Sequence, residues 1–166
     1  MPEGDLVVYE EDYEKVNAIL NQLLNESQSN FVLLVDRSGQ LISIQGETKS
    51  MDSIAFASLS AGNYAATSEL AKIIGEREFS VLFHQGDRES IHISMVAERV
   101  ILVVVFDDKT TLGLVRLRVN KACEELASVF TAIFDKVSAE ERRADVVLDS
   151  SFQGGAEEEI DKLFRE

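Results

Sequence analysis

FVLLVDRSGQLISI (31–44) is the stretch that decides the architecture. Phe31 to Val35 is an uninterrupted apolar run, the mark of a strand covered on both faces. Asp36-Arg37-Ser38-Gly39 is a turn by composition. Leu41, Ile42 and Ile44 then give a second strand ending near Gly46, so the segment is expected to fold as a hairpin. Val100 to Phe106 is another strand buried on both faces. A sheet with two such strands needs helices above and below it.

The flanking segments supply them. Val16, Ile19, Leu20, Leu23 and Leu24 recur at three- and four-residue spacing and predict a helix from about Glu10 to Asn25, with Tyr9 and Tyr13 extending its face. A second helix is expected from an N-cap at Asp52 to a C-cap at Gly75. A strand at about Phe79 to Gln85 follows, then a half-buried one in which Ile91, Ile93 and Met95 alternate with His92 and Ser94. Thr110 or Thr111 caps a long final helix with the stripe Val115, Val119, Ala122, Leu126, Val129, Phe130, Ile133 and Val137. The expected fold class is α/β: a sandwich of order α-β-β-α-β-β-β-α, with a five-stranded, mainly antiparallel sheet, the middle helix alone on one face and two helices on the other.

The expected domain spans residues 7–137. Residues 138–155, with Glu140-Glu141-Arg142-Arg143 and Gly154-Gly155, read as a flexible linker. Residues 156–166 regain a pattern: Ile160, Leu163 and Phe164 share one helical face behind the acidic Glu157 to Glu159. Too short to be stable alone, this segment suits docking in a groove; a disordered end is the alternative.

Sixteen basic and 30 acidic side chains give a net charge of −14. Residues 1–134 carry −9 and residues 135–166 carry −5, so the imbalance is global. Such a chain repels phosphate backbones and anionic membrane surfaces, which argues against nucleic acid and membrane insertion. It attracts a basic partner, or simply stays soluble. The apolar run from Val100 to Phe106 is far shorter than a bilayer span of about 20 residues. The acidic start, Met1-Pro2-Glu3-Gly4-Asp5, is unlike a secretory signal, and the single Cys123 cannot form an internal disulfide. A cytoplasmic location is the expectation.

The middle helix, SLSAGNYAATSELAKIIGE (58–76), carries two stripes. Leu59, Ala66, Leu70 and Ile73 are assigned to the core. Ser58, Ala61, Gly62, Ala65, Ser68 and Glu69 are mostly small and let another backbone approach closely, either a partner's or a symmetric copy's. A helix-interior glycine costs roughly 1 kcal/mol relative to alanine, so Gly62 needs such a reason.

No enzyme constellation emerges. Gly86-Asp87-Arg88 precedes a strand and lacks the lysine of a phosphate-binding loop. His84 and His92, on neighbouring strands, make a poor metal pair and read as cross-strand polar neighbours. Asp107-Asp108 suits a helix N-terminus, and Ser60 and Ser68 have no identifiable base. Arg37 and Arg88 lie in turns, where solvated arginines are commoner than arginine fingers. No cofactor or metal is expected.

LLVDRSGQLIS (33–43) resembles the first hairpin of the roadblock family of dynein light-chain-like proteins. SLSAGNYAATSELAKIIGE (58–76) and VVVFDDKTTLGLVRLRVNKA (103–122) are similar to the bacterial MglB members of that family, and the terminal IDKLF (160–164) resembles the end of some of them. The likeness covers about residues 7–135. It implies a homodimer with the third strand at the sheet edge, here Val81 and Phe83, and the middle helices side by side. It implies a GTPase-activating protein, itself no enzyme, for the GTP form of a small Ras-like GTPase, MglA, in cell polarity and gliding motility, with a cytoplasmic location concentrated at a cell pole. Activation in that family is expected to come from reshaping the GTPase's switch regions, without an arginine finger. The GTPase-facing surface would include the middle helix at Ser58, Ala61, Gly62, Ala65, Ser68, Glu69 and Lys72; Ala65 and Glu69 occupy matching positions, although Glu69 is larger than the residue in some relatives. Ile160, Leu163 and Phe164 match the C-terminal peptide that touches a second GTPase surface. The rival reading is a roadblock scaffold that recruits a GTPase or polarity complex without activating it. A small-ligand sensor would need an apolar pocket with convergent polar groups, to which nothing in the sequence points.

Overall fold

The computed structural model describes the backbone of residues 8–163 apart from Lys49, and side chains as far as Leu148. The elements run α1 (Glu10–Ser27), β1 (Phe31–Asp36), β2 (Leu41–Gly46), α2 (Ser53–Ile73), β3 (Val81–Gln85), β4 (Ser90–Ala97), β5 (Val100–Phe106) and α3 (Leu112–Leu163). The chain divides into two compact units, up to Phe130 and from Thr131.

In the first unit five antiparallel strands stand in the order β2-β1-β5-β4-β3. The two continuous apolar strands, β1 and β5, are neighbours near the middle, and every residue of both is buried. Fully burying a Val or Leu stabilises by roughly 1.5–3 kcal/mol, so these strands belong where both faces are covered. Phe31, Leu33 and Val35 join Ile93, Ile101, Val103 and Val105 beneath Ala57, Ala61 and Tyr64 of α2. The alternate residues point the other way. Val32 pairs with Val104, and Leu34 with Leu102, on the face served by α1 and the first half of α3. Val16, Leu20 and Leu23 of α1 are buried, as are Val115, Val119, Ala122, Leu126 and Phe130 of α3. Arg118 and Lys121 of α3 reach Glu26 of α1 at 3.3 and 4.0 Å. Tyr9 and Tyr13, expected to extend the apolar face of α1, are exposed.

The helix ends are set by local chemistry. The Asp52 carboxylate accepts from the Ala55 N–H at 3.0 Å and caps α2. Thr111, rather than Thr110, caps α3, its hydroxyl accepting from the Leu114 N–H at 3.2 Å. At the end of α2, Gly75 takes φ +83, its N–H donates to the Lys72 carbonyl, and the Glu76 N–H donates to the Ala71 carbonyl, the bonding of a Schellman turn.

Two expectations change. Residues 138–155, expected as a linker, are helical and continue α3. Ser138 to Asp149 is rich in Ala, Glu and Arg and has no proline, a composition that favours helix. The second change is the rotation of α2. Its buried residues are Ala57, Ser60, Ala61, Tyr64 and Ala71. The stripe assigned to the core, Leu59, Ala66, Leu70 and Ile73, faces solvent, with Leu59 73%, Leu70 59% and Ile73 80% exposed. Apart from Tyr64 the inward residues are small, Ala57, Ser60, Ala61 and Ala71, so the helix sits close on a sheet already filled by large β-branched side chains, while Ser58, Gly62 and Ala65 stay exposed.

His92 is buried on β4, with Ser94 Oγ 3.3 Å from its Nδ1. Burial, aided by the charge of Arg116, depresses its pKa to about 4. The unfolded imidazole, with an ordinary pKa of 6.5, therefore takes a proton where the folded one does not. His92 leaves stability untouched above about pH 6.5 and costs up to about 3 kcal/mol as pH falls from there toward 4. Denaturant unfolding at pH 7 and pH 5 is expected to show His92→Gln losing less stability on acidification than the wild type. Equal losses would mean that His92 titrates normally.

Candidate functional surface

The structure brings most of the candidate residues to the solvent side of α2 and to the adjacent sheet edge, and sorts them differently from the sequence. Positions separated by three or four residues share a helix face, so the inward set Ala57, Ala61, Tyr64 and Ala71 fixes the rest. Leu59, Ala66, Leu70 and Ile73 point directly away from the sheet. Ser58, Ala65, Glu69 and Lys72 lie together on one exposed flank, and Gly62 lies between the two sets. Ser68 is half-buried. Ala61, placed on the interface by the sequence, is 4% exposed and belongs to the core.

A Cβ built on Gly62 would meet nothing within 4 Å, so among the described residues no neighbour requires glycine there. The opposite flank of α2 meets β3, where Asn63 Nδ2 lies 3.3 Å from His84 Nε2. Tyr64 anchors the helix to the connection into β3: its hydroxyl donates to the Glu78 carboxylate and, at 3.4 Å, to the Phe79 carbonyl. Burial, then the Glu78 hydrogen bond, raises the phenol pKa well above its ordinary value.

β3 ends the sheet, and among the described residues no strand lies beside its outer backbone edge. Val81 and Phe83 are 40% and 39% exposed there. Their register with Ser94 and His92 turns them to the α1/α3 side, and the Phe83 ring stacks on Phe106 at 6.2 Å. His84 pairs with Ile91 instead, so His84 and His92 lie on opposite faces and do not approach each other. Among the described residues no three His, Cys, Asp or Glu side chains are placed to hold a metal, and no helix is long and apolar enough to cross a membrane.

An apolar helix face beside an open strand edge is the kind of surface that protein partners cover. Sequence reasoning found this helix and strand but missed Leu59, Leu70 and Ile73. The inward spacing 57, 61, 64, 71 around Tyr64 was the signal that would have found them. Ile160 and Leu163 lie on the helical backbone of α3, and their side chains, like the whole of Phe164, lie outside the described residues.

Comparison with known proteins assigns the family. Residues 15–106 match the Roadblock/LC7 domain. MglB of Myxococcus xanthus is 48% identical over 77% of this chain and 96% of its own, with a TM-score of 0.73. The gliding protein MglB of Thermus thermophilus is 36% identical over 76% of this chain and 96% of its own, at TM-score 0.72. A structure described as MglB with tetrameric arrangement is 34% identical over 79% and 98%, at TM-score 0.74. Among curated proteins none matches. More than half the chain matches the domain, and solved MglB structures align with it over nearly their whole length: the protein is a member of the Roadblock/LC7 family, on its MglB branch.

Proposed function

We propose that this protein is a homodimeric activator of GTP hydrolysis by a small Ras-like GTPase of the MglA type, and that it acts without catalytic groups of its own. The observation that carries the reading is the outward face of α2, apolar at Leu59, Leu70 and Ile73 and small at Ser58, Gly62 and Ala65, on a chain 48% identical to an MglB. Two copies meeting at β3 and α2 would cover the apolar stripe and present two small-residue flanks side by side. A GTPase seated on them would have its switch regions held in the conformation that aligns water and γ-phosphate. This is population shift: binding energy is directed at one switch conformation, and the phosphoryl chemistry stays with the GTPase. GTP hydrolysis by the partner, with and without this protein, tests it.

Dimerisation has its own expected result. Leu70→Glu with Ile73→Glu puts two charges where a lone domain has only solvent, so the fold should be kept. At a paired-helix interface the charges would be buried, and the dimer dissociation constant should rise at least about 100-fold by analytical ultracentrifugation. An unchanged mass distribution would place the dimer contact elsewhere.

The C-terminal segment is proposed as a second arm. Its apolar positions Ile160, Leu163 and Phe164 would dock on the GTPase away from α2. Deleting residues 138–166 is expected to weaken GTPase binding about tenfold, roughly 1.4 kcal/mol, or to change nucleotide exchange, while complex formation persists. Identical binding and exchange kinetics after truncation would leave the segment no such role.

A further inference from the structure

Acidic side chains outnumber basic ones nearly two to one in this chain, yet three cations from different segments gather at one cleft. Arg37 comes from the β1–β2 turn, Lys72 from the last turn of α2, and Arg77 from just beyond it. With Ser68 and Glu98 they line a depression of about 500 Å³ at the C-terminal end of α2. The Arg37 guanidinium is tethered, its Nη1 donating to the Glu98 carbonyl at 3.2 Å. Lys72 is held by Glu69 at 2.8 Å. Glu78, which also lines the cleft, keeps its charge while accepting from the Tyr64 hydroxyl, so Glu78 and Glu98 offset part of the charge of the three cations. Arg77 forms no ion pair among the described residues.

We propose that this cleft receives a carboxylate side chain from the GTPase, and that Arg77, assisted by Arg37 and Lys72, grips it. The inference rests on the functional reading above and names one contact within it. The cleft is continuous with the exposed flank that carries Ser58, Ala65, Glu69 and Lys72, because Lys72 belongs to both. A guanidinium matches a carboxylate in planar, two-pronged fashion, which fixes orientation as well as supplying attraction. In a chain of charge −14, an acidic partner group would be repelled almost everywhere else, so the cleft would set the register of docking.

The test is a binding titration of the full chain against the MglA-type GTPase loaded with a non-hydrolysable GTP analogue, at low and high salt. Arg77→Glu is expected to weaken binding about tenfold at low salt, and the gap from wild type should shrink to less than about threefold at high salt, where charge is screened. Arg77→Lys keeps the charge but loses the two-pronged geometry, so it and Arg37→Ala should both fall between wild type and Arg77→Glu. Wild-type binding with an unchanged affinity for Arg77→Glu overturns the proposal and leaves the partner standing. Binding of GTP alone to the free protein, lost in Arg77→Glu, would assign the cleft to a nucleotide and also overturn it. No binding by the wild type removes the partner itself, and the proposal with it.

Discussion

Ala65→Arg is expected to abolish GTPase activation while leaving the domain folded. Ala65 is exposed on the flank of α2 turned away from the sheet, so a long cationic side chain there projects into solvent and disturbs no core contact. In a complex the same side chain would stand between two backbones that approach closely because Ser58, Gly62 and Ala65 are small. Overpacking a close interface and burying an unpaired charge act together, and a loss of at least about 100-fold in affinity follows, close to 2.7 kcal/mol. The melting temperature should stay within about a degree of wild type. Co-elution with the GTPase on gel filtration and stimulated hydrolysis should both disappear. Undiminished stimulation would place the GTPase on another surface.

The largest stability effect is expected at Gly46. It closes β2 with φ +110, a conformation that strains any residue bearing a Cβ, and an added Cβ would lie 2.4 Å from the Asn30 carbonyl oxygen and 2.7 Å from Phe31 Cα. Both obstacles are backbone, at the point where β1 begins, and neither can rotate away. Strain and overlap together are expected to cost Gly46→Ala about 3 kcal/mol or more, a large share of the roughly 5–15 kcal/mol that holds a typical domain. Thermal or urea unfolding measures it directly. By contrast, Gly62→Ala meets open space within the chain and should leave the lone domain at least as stable. The two glycines thus separate a folding requirement from an interface requirement. A loss below about 1 kcal/mol at Gly46 would show that the β1–β2 register slides to make room.

The element order, the hairpin and the doubly covered sheet are legible in the sequence because β1 and β5 are almost wholly apolar, a pattern that a strand buried on both faces produces. Asp52 and Thr111 announce their helices through side-chain oxygens that serve as caps. The rotation of α2 is not legible. Its outward Leu59, Leu70 and Ile73 are as apolar as core residues, while the residues that do reach the core are mostly alanine. A helix that buries one face in its own chain and offers another apolar face to solvent has no single dominant stripe, and large side chains then point to the wrong side. The cleft of Arg37, Lys72 and Arg77 is equally invisible, since it depends on a hairpin turn meeting the end of a helix more than 30 residues away. The helical continuation of α3 past Ser138 was obscured by Gly154-Gly155 and by the weakening of the apolar stripe.

Activation is the central claim, and single-turnover GTP hydrolysis by the MglA-type GTPase is its most direct measure, followed with and without a stoichiometric excess of this protein. The expected result is acceleration of at least about 10-fold, close to 1.4 kcal/mol off the barrier, present in the wild type and absent in Ala65→Arg. Unaccelerated hydrolysis in a mixture where the two proteins still co-elute would contradict activation and leave a scaffold that binds the GTPase without changing its chemistry.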